Sequence, residues 1–233
     1  MYFQKLGSGN AVLFLHGWGC DGSVFLPVAK QVSCACYLVD FAGFGNSPCP
    51  PVEGWTVGDY ATDLWHFVQE QNLQNVTIVA HSFGCRVATV FAKVHPRVVK
   101  NMLFVAPAGI RRFSLKRIFS VAKFKFQKLL HRLKIAKNPP KSKSTDYANC
   151  PNCLKNTFVK VVNQDLSHYV KLLQCPVVVV ASKADKQVPL WQAKRFCALN
   201  KRCQLVQIDG DHFAYFANPR AFALAVETLA RDV

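Results

Sequence analysis

The chain is predicted to be an α/β protein, a doubly wound and mostly parallel sheet with a helical cap inserted late in the chain. Three observations carry that prediction. Short apolar runs, Ala11–Leu15, Cys36–Val39, Val76–Val79 and Val177–Ala181 among them, have the length and content of strands buried on both faces. Stretches with apolar residues at helical spacing separate them. Between Arg111 and Lys143 the alternation stops: twelve Lys or Arg fall there, and no acidic residue lies between Glu70 and Asp146. The core is therefore expected over 1–107 and 174–233, with a basic helical cap over 108–173.

Taken in order, Tyr2–Leu6 reads as a short edge strand, followed by a turn at Gly7–Ser8–Gly9–Asn10. Ala11–Leu15 is a buried strand ending in His16–Gly17–Trp18–Gly19. Asp21 or Ser23 can cap a helix through Phe25, Val28 and Ala29 that ends near Val32. Cys36–Asp40 is the third strand, and a glycine-rich loop from Phe41 to Ser47 follows it. Thr56 caps a helix carrying Val57, Tyr60, Ala61, Leu64, Phe67 and Val68. Val76–Val79 and Asn101–Ala106 are strands flanking a helix through Val87, Phe91 and Val94. Tyr147–Leu173 is helical in pieces. Strand Val177–Ala181, helix Leu190–Leu199, strand Cys203–Ile208 and a helix starting at Asn218 complete the chain.

Composition bounds the function. With 233 residues and 51% of them hydrophobic, the chain can bury one large core. No apolar run approaches the ~18 residues of a membrane span. The start Met1–Tyr2–Phe3–Gln4–Lys5 lacks the pattern of a secretory leader, so a cytoplasmic protein is expected. Its ten cysteines should then stay reduced. Cys34, Cys36, Cys85, Cys175, Cys197 and Cys203 read as small buried hydrophobes. Cys150–Pro151–Asn152–Cys153 lacks the second ligand pair of a zinc site.

The chemistry concentrates at one junction. In Val76–Thr77–Ile78–Val79–Ala80–His81–Ser82–Phe83–Gly84 a strand stops at a serine and becomes a helix, with small residues two positions either side. That is the nucleophile-elbow pattern, with Ala80 in its first place. A serine hydroxyl needs a base, a carboxylate to orient that base, and donors for an oxyanion. Asp185 and His212 follow Ser82 in chain order, each just past a strand end.

Together these pieces resemble the α/β-hydrolase fold family. The resemblance rests on His16–Gly17–Trp18–Gly19, Asp40–Phe41–Ala42–Gly43–Phe44–Gly45–Asn46–Ser47, Ala80–His81–Ser82–Phe83–Gly84, Asp185–Lys186–Gln187–Val188–Pro189 and Gly210–Asp211–His212. Asp146–Tyr147 and Thr157 to Leu166 further resemble a group of small bacterial hydrolases. The resemblance implies a serine hydrolase acting on a carboxylic ester through an acyl-enzyme. Ser82 would be the nucleophile, His212 the general base and acid, and Asp185 the orienting carboxylate. Backbone N–H groups of Trp18 and Phe83 would form the oxyanion hole, and His16, Gly17, Trp18 and Phe83 would meet the substrate, with His16 bracing the loops. One or two leading strands of the full fold are expected to be missing. No metal or organic cofactor is implied.

Blander readings stand beside these. Asp209 or Asp211 could replace Asp185. His81 reads as a packed elbow residue, Asp40 as a loop cap, and His131 and His168 as surface groups. The basic segment has three readings. In the first, Leu115, Ile118, Phe119, Ala122, Phe126, Leu129, Leu130 and Leu133 form a stripe over the site, with Phe113, Phe119 or Phe126 in an acyl pocket. In the second, the segment adds weak association with an anionic membrane surface. The third is nonspecific nucleic-acid affinity, which no nucleic-acid fold accompanies. The expected partner is a small-molecule ester, with no specific nucleic acid. The alternative is a non-catalytic protein of the same fold that binds anionic membrane or ligand through its basic cap.

Overall fold

The structure, a computed structural model, describes all residues except 112–118, 120, 121, 124, 125, 128, 130, 134–144, 232 and 233. Among the described residues seven strands form one sheet: β1 (Tyr2–Leu6), β2 (Ala11–Leu15), β3 (Ala35–Asp40), β4 (Val76–His81), β5 (Val99–Val105), β6 (Val177–Ser182) and β7 (Cys203–Ile208). Their spatial order is β1-β3-β2-β4-β5-β6-β7. Only β1 runs antiparallel, pairing Tyr2 with Asp40 and Leu6 with Cys36 along the edge.

Strand alternation divides the core. Leu13, Leu15, Ile78, Ala80, Met102 and Phe104 point to one face. There they meet α2 (Val57–Glu70), α3 (Phe83–Val94) and α7 (Leu190–Leu199). Val12, Phe14, Val79, Leu103 and Val105 point to the other, against α1 (Leu26–Ala29) and α8 (Pro219–Ala230). Both faces are covered, which is why these strands read as continuous apolar runs rather than as alternating ones.

The helix starts follow capping chemistry. Thr56 and Asp59 form a reciprocal capping box on α2. The Asn218 side chain accepts from the Ala221 N–H at 3.0 Å and starts α8. The helix expected from Phe25 to Val32 is shorter than its sequence suggested: a 3-10 turn over Gly22–Phe25 leads into the single turn of α1. Asp21 caps that turn through the Ser23 N–H.

Between β5 and β6 the chain forms α4 (Thr145–Ala148), a 3-10 turn at Asn152–Leu154, α5 (Lys155–Asn163) and α6 (Ser167–Lys171). Leu154, Phe158, Val161, Leu166 and Val170 are buried in the same apolar cluster as the sheet. Hydrogen bonds stitch this half to the core. Trp55 N–H donates to Thr157 Oγ1 at 2.9 Å, and Leu166 N–H donates to the Gly109 carbonyl at 2.9 Å.

The first half differs. Its described residues between 119 and 132 are helical, but Phe119, Phe126, Leu129 and Leu133 are 71, 60, 50 and 58% exposed. The expected stripe over the site is therefore corrected at these four positions, whose side chains face solvent. Phe113, Leu115, Ile118 and Leu130 lie outside the described residues.

The cysteines depart from expectation as well. Cys49 is paired with Cys153, and Cys197 with Cys203. The first pair spans 104 residues and forms where the loop after β3 meets the 3-10 turn of the insertion. Cys34, Cys36, Cys85 and Cys175 are buried and free, as small apolar groups. No helix among the described residues is long and apolar enough to cross a membrane.

Candidate active site

Sheet topology sets the location. β3 lies on one side of β2 and β4 on the other. The chain leaves β2 in one direction and returns on the opposite side, so the loops at the carboxyl ends of β2 and β4 diverge and leave a crevice. The residue between β4 and α3 is Ser82, with φ 49° and ψ −101°. A residue with a Cβ is strained there, and the tight turn swings its side chain out of the strand direction.

Close packing enforces the small neighbours. A Cβ on Gly84 would collide with the Leu15 carbonyl, so α3 can approach β2 only with glycine at that position. A Cβ on Gly17 would lie 2.8 Å from His81 Nδ1 and 3.6 Å from Ser82 Cβ. The loop after β2 is thus pressed directly against the serine turn. Phe83, the first residue of α3, has no acceptor for its N–H within the helix.

In the loops after β6 and β7, His212 Nδ1 donates to Asp185 Oδ2 at 2.7 Å, and both side chains are buried. A carboxylate only accepts, so the proton sits on Nδ1 and Nε2 is left as the basic nitrogen. The other Asp185 oxygen accepts from the N–H groups of Gln187 and Val188, each at 2.8 Å. Burial pushes the Asp185 pKa up, but the bonds from His212, Val188 and Gln187 outweigh it and hold the carboxyl below its usual range. The competing acids are committed elsewhere: Asp211 accepts from the Phe213 N–H, and Asp209 pairs with Lys183.

Burial favours the neutral form of two other imidazoles, His16 and His81. His16 donates from Nδ1 to the Gly17 carbonyl at 2.7 Å, and its Nε2 accepts from the Phe41 N–H at 3.0 Å. Burial lowers its pKa to about 4. His81 donates from Nε2 to the His212 carbonyl at 3.1 Å. Burial, then the neighbouring His212, lowers its pKa to about 3. The rings of His81 and His212 lie 4.5 Å apart, so the residue preceding Ser82 supports the loop that carries His212. Asp40 accepts from Gly22 and Asn46 and only shapes its loop.

A family model for the alpha/beta hydrolase family matches residues 12–226. The chain belongs to that family. It is 25% identical over 241 residues to a putative esterase/lipase of Mycoplasma genitalium, an alignment covering 94% of this chain and 88% of the relative. It is 30% identical over 112 residues to an uncharacterized protein of Mycobacterium tuberculosis, but spans only 33% of that relative's length. The fold is similar to that of an esterase from Exiguobacterium antarcticum, with a TM-score of 0.79, 17% identity, and 99% and 95% of the two chains covered.

Within this family member the residues singled out in the sequence separate clearly. Asp185 and His212 are joined, and Gly17 packs on Ser82. Trp18 stands beside the elbow, its ring 5.2 Å from that of Phe83. His16 is the exception. Fully buried and with both nitrogens bonded to backbone, it braces two loops, the role expected of it beside substrate contact.

Sequence reasoning missed Phe44 and Phe158, whose rings lie 4.9 and 5.1 Å from Trp18. The apolar wall thus draws on α5 of the insertion; no spacing rule links Phe158 to Trp18 across 140 positions. No group of three or more His, Cys, Asp or Glu able to hold a metal ion occurs among the described residues.

Proposed function

We propose that the chain is a serine hydrolase that cleaves a carboxylic ester of a small, uncharged or weakly anionic substrate. Ser82 Oγ attacks the carbonyl carbon while His212 Nε2 takes its proton. The N–H groups of Trp18 and Phe83 receive the oxyanion of the tetrahedral intermediate. Collapse breaks the bond to the alkoxide, which takes the proton from His212 and leaves an acyl-serine. Water, deprotonated by His212, then attacks the acyl carbon, releasing the acid and restoring the serine. Asp185 keeps the imidazole in the tautomer this cycle needs.

The observation that carries the reading is the buried 2.7 Å bond between His212 and Asp185 at the rim where Ser82 holds a positive φ. Phe158 against Trp18, and Leu154 against Gly43, support the second half of the insertion as a cover on the acyl side.

The test is turnover of a panel of p-nitrophenyl esters by purified protein and by Ser82→Ala. Loss of at least roughly 10⁴-fold is expected for the variant. A wild-type protein that turns over no ester and takes no serine-directed probe would favour the non-catalytic alternative.

A further inference from the structure

The helix in the first half of the insertion presents a face that nothing among the described residues covers. Phe119, Phe126, Leu129 and Leu133 follow one another at intervals of seven, three and four, and at 3.6 residues per turn these fall on one stripe. The Leu133 N–H donates to the Leu129 carbonyl at 2.9 Å, one helical turn back. Each of the four is at least half exposed. Four large apolar side chains aligned on a solvent-facing helix are a surface that needs a partner.

Charge identifies the partner. Twelve Lys or Arg lie between 111 and 143 in the sequence, with no acidic residue from 71 to 145. Lys123 and Arg132, both exposed, lie on the same helix. A second copy of the chain would bring the same excess of positive charge and be repelled. A nucleic acid would meet the cations but has no use for a continuous aliphatic and aromatic stripe. An apolar stripe bordered by cations suits the boundary of an anionic bilayer, where side chains enter the acyl region and ammonium and guanidinium groups meet lipid phosphates.

We propose that Phe119, Phe126, Leu129 and Leu133, with Lys123 and Arg132, dock this protein onto anionic lipid bilayers at the level of the headgroups. This inference does not depend on the hydrolase reading, because docking needs no turnover.

The experiment is co-sedimentation of the full chain with vesicles of phosphatidylcholine alone and of phosphatidylcholine with phosphatidylglycerol. Binding to the anionic vesicles is expected to exceed binding to the neutral ones by tenfold or more, and to fall as salt rises. The Phe119→Ser/Phe126→Ser double variant should lose about tenfold of that binding while its thermal midpoint stays unchanged. Lys123→Gln/Arg132→Gln should lose a similar factor through charge alone. Ser82→Ala should bind as the wild type does.

Three results would overturn the proposal. One is no preference for anionic vesicles. Another is undiminished binding by the folded Phe119→Ser/Phe126→Ser variant. The third is full displacement from vesicles by single-stranded RNA at equal charge concentration, which would make the segment a polyanion site.

Discussion

The rim at the carboxyl ends of the strands and the helix at 119–133 use their residues in opposite ways. At the rim, His16 has both ring nitrogens bonded, and Asp40 and Asp185 have both carboxylate oxygens engaged. In the helix, large apolar groups face water. The second half of the same insertion resembles the rim instead: Phe158 and Leu154 are buried against Trp18 and Gly43. The rim holds most of its polar groups by several bonds at once, whereas the described apolar groups of the helix are left exposed.

That contrast predicts a graded series. The largest effect should come from Asp185→Asn. An amide places an N–H toward His212 Nδ1, forces the proton to Nε2 and removes the base, so kcat/KM for esters should fall by about 10⁴-fold. Asp211→Asn should stay near wild type, and comparable losses for the two variants would mean that the rim is not organised around Asp185.

Next is Phe158→Ala, which empties a buried site under the Trp18 ring and should cost about 3 kcal/mol in denaturant unfolding. A cost below about 1 kcal/mol would erase the difference between the two halves of the insertion.

A smaller effect should follow from pH. His16 and His81 are held neutral in the fold, with pKa values lowered from 6.5 to about 4 and about 3. The unfolded chain takes up their protons first as pH falls. Their contribution to stability is therefore complete above pH 6.5 and is lost as pH drops toward 4 and then 3. At pH 5 each ring should cost about 2 kcal/mol relative to pH 7. His81→Leu should flatten the decline in thermal midpoint over that window; an unaltered slope would show that His81 is protonated in the native state.

The smallest effect belongs to the exposed helix. Phe119→Ser should change unfolding free energy by less than about 0.5 kcal/mol, because the side chain is largely exposed.

Much of this arrangement was readable from the chain. The loops at His16, Ser82, Asp185 and His212 announce themselves because strand ends and small residues are local patterns, and the chemistry at each end needs one residue type. What the sequence left hidden is relational. Apolar spacing places Phe126 in a stripe over the site and gives Phe158 no role, yet tertiary packing turns Phe126 to water and sets Phe158 against Trp18. The pairing of Cys49 with Cys153 needs the insertion folded back on the loop after β3. His81 reads as a packed residue, and its bond to the His212 carbonyl depends on two loops meeting across 131 positions.

The most direct test of the central claim is active-site labelling with a fluorophosphonate, read by intact mass and peptide mapping. Wild-type protein should carry a single adduct on Ser82, and folded Ser82→Ala should carry none. An adduct mapped to another residue, or labelling undiminished in Ser82→Ala, would contradict the assignment of that serine as the nucleophile.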